Sequence, residues 1–177
     1  MIRGIAYDFD GVLTNNLALI TKDGQEAVVV NRSDGMAIRL LGEEGFRQVI
    51  ITTEKSGPAE ARANKLELEI RLGSPDKAED LRTWASMNKL ELSEVAFVGN
   101  DINDLPALRA CGFPIIVNDA FIQDQKPGEF FRLSRRGGQG AVRELLDYII
   151  APQGNLVSDR HEEFHSWALQ RSSFHDQ

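Results

Sequence analysis

Asp8 and Asp10 stand two residues apart at the end of the apolar run Ile2-Arg3-Gly4-Ile5-Ala6-Tyr7, and Gly11 follows at once. Residues two apart on a strand point the same way, so the spacing predicts two carboxylates together at a strand's C-terminal end. Such a pair repels unless one member holds a proton or a divalent cation joins them. Further on, Thr52 closes a second apolar run, Lys77 follows the turn Gly73-Ser74-Pro75-Asp76, and a third run leads into Asn100-Asp101-Ile102-Asn103-Asp104. Two carboxylates, a hydroxyl, a lysine and an acid-rich loop suit magnesium and phosphate. Magnesium takes oxygen ligands and leaves room for a phosphate. Phosphoryl transfer needs mainly positioning and charge neutralisation, and an aspartate can itself attack phosphorus. Each residue alone is as well read as a strand end or a solvated helix position; their order along one chain favours chemistry.

The elements that must position them alternate. Strands are predicted over residues 48–52, 69–72, 95–98 and 114–117, after a first strand that rises to Asp8. Helices are predicted from Ser33 and Asp34 to the stop at Gly45, then over 58–66, 77–87, 105–110 and 141–150. That alternation specifies an α/β fold, a Rossmann-like parallel sheet with helices on both faces. The C-terminal ends of its strands share one edge, where open α/β sheets bind ligands. One element breaks the pattern. Residues 17–21 and 27–31 are β-rich and flank Asp23-Gly24, a strong hairpin signal. Leu17, Leu19, Ile20, Val28, Val29 and Val30 are too apolar for a solvated arm, so this projecting hairpin is expected to be a subunit contact.

Composition bounds the rest. A chain of 177 residues fits one core. With 20 basic against 27 acidic residues, the net charge of −7 argues against nucleic acid or an anionic membrane surface as partner. No apolar run reaches the length of a membrane span, and the start of the chain lacks the pattern of an export leader, so a cytoplasmic protein is expected. Cys111, the single cysteine, excludes an intrachain disulfide and reads as a buried structural thiol.

Asp8-Phe9-Asp10-Gly11-Val12-Leu13-Thr14, then Thr52, Lys77 and Gly99-Asn100-Asp101-Ile102-Asn103-Asp104-Leu105-Pro106, together resemble the haloacid dehalogenase (HAD) superfamily of phosphatases. The nearest resemblance is to its small, capless sugar-acid members: octulosonate 8-phosphate phosphatases, nonulosonate 9-phosphate phosphatases and the phosphatase-like domain of acylneuraminate cytidylyltransferases. It covers residues 2–150, including the hairpin and Gly137-Gly138-Gln139-Gly140-Ala141-Val142-Arg143-Glu144. The resemblance implies a phosphatase domain over 1–150, with 151–177 as a tail of no assigned function. It implies Asp8 as nucleophile, Asp10 as general acid and base, Thr52 on the phosphoryl oxygens and Lys77 as charge neutraliser. Asp8, the Asp10 carbonyl and Asn100 would hold Mg²⁺, supported by Asp101 and Asp104. Thr53, Glu54, Lys55, Lys65 and Arg143 would meet a phosphorylated sugar acid, with Glu54 and Lys65 facing one side. A homotetramer is implied, with a neighbour's residues 137–143 helping to close the site.

Two departures are visible. Asn100 stands where these families usually carry an aspartate, which weakens a metal site and leaves open a catalytically weak assembly module. Thr53-Glu54 replaces the Gly-Arg usual in octulosonate phosphatases and resembles the nonulosonate enzymes. A competing motif, His161-Glu162-Glu163-Phe164-His165, fits the zinc-protease pattern H-E-x-x-H. Its extension fails at Ala168 and Arg171, so a short amphipathic helix bearing Phe164 and Trp167 is expected instead, with Ser158 or Asp159 as its cap.

Overall fold

The computed structural model describes residues 1–55, 57–124, 126–150 and 159–173. Ser158, one of the two candidate caps of the last helix, lies outside them. A six-stranded sheet runs in the order β5-β4-β1-β6-β7-β8, and every neighbouring pair is parallel. Its strands are β1 (Gly4–Tyr7), β4 (Arg47–Ile51), β5 (Glu69–Arg71), β6 (Val95–Gly99), β7 (Phe113–Ile116) and β8 (Phe131–Arg132). Six helices cover it: α1 (Arg32–Glu43), α2 (Pro58–Leu66), α3 (Lys77–Met87), α4 (Leu105–Ala110), α5 (Ala141–Ile149) and α6 (Asp159–Ser173). The strands divide their side chains between two cores by simple alternation. Ile5, Tyr7, Ala96 and Val98 face α1, α2, α5 and α6. Ala6, Val95 and Phe97 face α3 and α4 around Trp84 and Leu108. From β1 the chain builds outward in both directions, so β1 lies at the topological switch point, flanked by the ends of β4 and β6.

Three expectations change. Helix α1 is capped two residues before Ser33, by Asn31, whose side chain accepts from Ser33 N at 2.8 Å. That frees Asp34 for a distant partner: it is 1% exposed and accepts from Gly140 N at 3.3 Å and Arg143 N at 2.9 Å, capping α5 across 106 residues. Strand β1 stops at Tyr7, so Asp8 and Asp10 stand in the turn that leaves it rather than on the strand. That turn is closed by Val12, Leu13 and Thr14, whose N–H groups all point at the Phe9 carbonyl. Strand β8, two residues long, gives too short a pattern to be seen in advance.

Strands β2 (Thr14–Ile20) and β3 (Glu26–Val30) form a separate antiparallel ribbon, as Asp23-Gly24 predicts. Val28 and Val30 lean on the core, whereas Leu17, Leu19, Ile20 and Val29 are 61–70% exposed. Helix α6 carries His161 and Phe164 of the H-E-x-x-H segment into an aromatic cluster, while Glu162, Glu163 and His165 are exposed. Phe164 is buried against Phe131 and Tyr148, and His161 packs beside Tyr148. Among the described residues no group of three or more His, Cys, Asp or Glu is poised to hold a metal.

Candidate active site

At the switch point, Lys77 begins α3 because Asp76 caps it, accepting from Ala78 N at 3.0 Å and Glu79 N at 3.2 Å. The lysine then reaches into the sheet edge and is 3% exposed. Its Nζ lies 2.7 Å from Asp8 Oδ1 and 2.7 Å from Asp104 Oδ1. Burial pushes the Asp8 carboxyl up to about 7 and the Asp104 carboxylate adds to the rise, while Lys77 opposes it. Burial alone would lower Lys77, but the two carboxylates hold it above its ordinary value, so it stays a cation. Asp8 Oδ1 also accepts from Phe9 N at 2.7 Å, which leaves its second oxygen for other work.

The loop after β6 is folded by Asp104. Its Oδ2 accepts from Asn100 N at 2.8 Å and Asp101 N at 3.2 Å, while Oδ1 takes Lys77. Asp104 is thus the lysine's second partner. Asp101 turns away to accept from Ile102 N at 2.7 Å. Asn100 is 5% exposed, and its Oδ1 is buried with no hydrogen-bond partner among the described residues. An orphaned carbonyl oxygen of this kind is costly unless something positive meets it. Gly11 makes room for this side chain: a Cβ there would sit 2.0 Å from Asn100 Nδ2, and φ is +85°. The Asp8 carboxylate, the Asn100 amide oxygen and the Asp10 carbonyl are hard oxygen donors, so the residues present fit a divalent cation such as Mg²⁺.

Asp10 is half-buried. Thr14 Oγ1 donates to its Oδ1 at 3.2 Å and accepts from Gly11 N and Asn16 N, both at 3.2 Å. Burial raises the Asp10 carboxyl; the Thr14 hydroxyl opposes this, and Glu54 and Glu26 reinforce it. Lys77 lowers both carboxyls, while Asp104 raises Asp8 and Glu54 and Glu26 raise Asp10. Thr52, at the end of β4, is 1% exposed and its Oγ1 accepts from Glu54 N at 3.1 Å.

Beside Asp10 opens a cavity of about 500 Å³, lined by Phe9, Thr53, Glu54 and Lys55, by Gly24 and Glu26 of the hairpin, and by the start of α2. Three of the five expected substrate contacts are there. Lys65 is exposed in the last turn of α2 and lies outside that lining. Arg143 pairs with Asp147 on its own helix at 2.7 Å. Gly137 and Gly138 are engaged with this chain's own catalytic turn: Gly138 N donates to Val12 O at 2.9 Å. Their N–H groups are thus used within this chain. Cys111 is buried and donates to Leu108 O at 3.3 Å, with its thiol pushed up to about 12 by burial, an inert structural group. Sequence reasoning missed Asp34 and Glu144. Glu144 accepts from Ser134 N at 2.9 Å, Ser134 Oγ at 2.6 Å, Arg135 N at 2.8 Å and Tyr148 Oη at 2.5 Å. Glu144 was legible only as a motif letter.

No protein-family model matches the chain. Individual proteins do. The 3-deoxy-D-manno-octulosonate 8-phosphate phosphatase KdsC of Yersinia pestis is 31% identical over 156 residues, covering 88% of this chain and 83% of that protein. The crystal structure of the 3-deoxy-D-manno-octulosonate 8-phosphate phosphatase of Moraxella catarrhalis, in complex with a magnesium ion, a phosphate ion and KDO, superposes with a TM-score of 0.78 at 29% identity, over 93% of this chain and 92% of that one. The cobalt-bound deoxy-D-mannose-octulosonate 8-phosphate phosphatase of Haemophilus influenzae gives 0.79 at 26%, over 92% and 96%. A parallel sheet with its lysine and carboxylates at the switch point, and relatives matched along nearly their whole length, lead to one assignment: the chain belongs to the capless, KdsC-like phosphatases of the HAD superfamily.

Proposed function

We propose that the chain hydrolyses a phosphorylated sugar acid, of the octulosonate 8-phosphate or nonulosonate 9-phosphate type, with Mg²⁺ and through a phosphorylated Asp8. The observation that carries this reading is Lys77 Nζ at 2.7 Å from Asp8 beside the unpartnered Asn100 Oδ1. The free Asp8 oxygen attacks phosphorus and the bond from phosphorus to the sugar oxygen breaks. The departing alkoxide takes the proton that Asp10 holds, which the raised Asp10 carboxyl favours. Asp10 then accepts a proton from water as that water attacks the phosphorus, releasing phosphate and restoring Asp8. Thr52 Oγ1 accepts from Glu54 N and so has its hydrogen left for a phosphoryl oxygen. Lys77 offsets the charge gathered between Asp8 and the phosphate. Mg²⁺, held by Asp8, Asn100 and the Asp10 carbonyl, supplies charge neutralisation when bound. In the cavity, Lys55 suits the sugar's carboxylate, and Glu26 and Glu54 suit its hydroxyls.

The test is kcat/KM on both sugar-acid phosphates and on p-nitrophenyl phosphate, with Mg²⁺ and after chelation. Mg²⁺-dependent turnover that favours either sugar acid by about 100-fold supports the reading. Asp8→Asn should lower kcat by about 10⁴-fold or more while leaving Tm nearly unchanged, because Lys77 keeps Asp104 as partner. Retained turnover in that variant removes Asp8 from the role. Asn100 favours a second reading, a weakly active phosphatase serving chiefly as an assembly module. That reading requires slow turnover of every ester at saturating Mg²⁺.

A further inference from the structure

We propose that the Gly137–Gly138 backbone is the positioning device that aims Asp10 at the leaving-group oxygen. The inference rests on reading Asp10 as the general acid. The catalytic turn and this segment touch backbone to backbone. A Cβ on Gly137 would lie 1.8 Å from Gly11 O, and one on Gly138 would lie 2.4 Å from the Thr14 carbonyl carbon and 2.5 Å from Asn15 N. Gly138 also holds φ at +64°, where a side chain is strained. Both neighbours of the contact bear on Asp10. Gly11 follows it directly, and Thr14 donates the hydroxyl hydrogen that orients its carboxylate, at 3.2 Å. Thr14 Oγ1 accepts from two backbone N–H groups, so its one hydrogen has a single fixed direction.

The segment behind is itself held fast. Gly138 N donates to Val12 O at 2.9 Å and Gly137 N to Asp119 Oδ1 at 3.0 Å. On one side Glu144 accepts from Ser134 N and Arg135 N; on the other Asp34 accepts from Gly140 N and Arg143 N. Asp8 is anchored separately, through Lys77. Gly138 presses on Thr14 and Asn15 rather than on Gly11, so a shift there moves the hydroxyl that orients the proton donor and leaves the nucleophile, held by Lys77, in place.

That separation gives the test. A sugar alkoxide is strongly basic and needs its proton as it leaves; p-nitrophenolate leaves without one. Gly138→Ala should lower kcat/KM on the sugar-acid phosphate, which reads only the steps up to release of the sugar, by about 10–100-fold, the scale of an ångström-sized misplacement. On p-nitrophenyl phosphate kcat/KM should fall by less than about threefold, since proton donation contributes little to release of p-nitrophenolate, and the later hydrolysis, where Asp10 serves as base for both esters, does not enter kcat/KM. In an Asp10→Asn background the same substitution should add no further loss on the sugar-acid phosphate. Equal losses on both esters, no loss on either, or a full further loss in the Asp10→Asn background would each overturn the proposal. If Asp10→Asn shows no leaving-group selectivity, the general-acid reading fails; if it does and Gly138→Ala does not, only the positioning role fails. Should Gly138→Ala not fold, Asp119→Ala frees Gly137 N without adding an atom. It should show the same selectivity at smaller size, and an unselective or absent loss there overturns the proposal equally.

Discussion

Asn100 keeps a carbonyl oxygen and drops a charge, and the surrounding carboxylates say what that exchange does. Asp8 and Asp104 already share one cation, Lys77, at 2.7 Å each. A third carboxylate at position 100 would face them with no further cation, so Asn100→Asp should lower Tm when metal is chelated. With a divalent cation the sign reverses. The added charge should reduce the Mg²⁺ concentration for half-maximal activity by about tenfold, equivalent to ~1.4 kcal/mol, and enlarge the Mg²⁺-induced rise in Tm. A metal titration unchanged from that of the parent protein would place Asn100 outside the metal's ligands. Asp8, Asp10, Thr52, Lys77 and Asn100 stand out in the sequence because each follows a strand or starts a helix in a recognisable order. Asp104 was legible as a motif residue but not as the partner of Lys77. That pairing joins residues 27 apart on separate elements, which no local pattern encodes.

Among the elements, α5 and the loop before it are joined by Glu144, which is 7% exposed. Burial would raise its carboxyl, but bonds from Ser134, Tyr148 and Arg135 outweigh that and hold it below the ordinary glutamate range. A depressed folded-state value means its stabilisation is fully present above the unfolded value of about 4.3 and is lost as pH falls through the lower folded value. Glu144→Gln turns an amide NH₂ toward one of two backbone donors, Ser134 N or Arg135 N. It should cost about 2 kcal/mol, or roughly 4–8 °C in Tm, at neutral pH. The gap between the two proteins should narrow as pH drops below about 4; a gap constant from pH 7 to pH 3 would rule out an ionised Glu144 as the cause. The helix itself was plain from its apolar spacing. Its two clamps, Asp34 and Glu144, were not, because a carboxylate that caps distant backbone looks in sequence like any surface acid.

On the scale of the whole molecule, the parallel sheet and its switch point were readable from alternation. The docking of α6 was readable only as amphipathicity. The hairpin is where sequence and structure together point past the single chain. In its ladder Leu19 pairs with Ala27 and Ala18 with Val28. Leu17, Leu19, Ala27 and Val29 therefore share one face, while Val28 and Val30 turn to the core. The outward face leaves Leu17, Leu19 and Val29 at 66–70% exposure on a two-stranded ribbon, and such a ribbon is marginal by itself. Each such side chain gains about 1.5–3 kcal/mol on full burial. Hairpin-to-hairpin packing repeated by symmetry would cover that face, in the homotetramer that the sequence resemblance implies. Its contacts would lie close to the cavity, because Gly24 and Glu26 of the same hairpin line it. Val29→Asp puts a charge on that face where solvent already reaches, so an isolated subunit should change stability by less than about 0.5 kcal/mol. An assembly closed by that face should come apart. Light scattering at micromolar concentration should report a tetramer for the parent protein and a smaller species for the variant. Activity on the sugar-acid phosphate should fall with the assembly. A parent protein that is monomeric and fully active, or a Val29→Asp protein that stays tetrameric, would remove the hairpin from the interface.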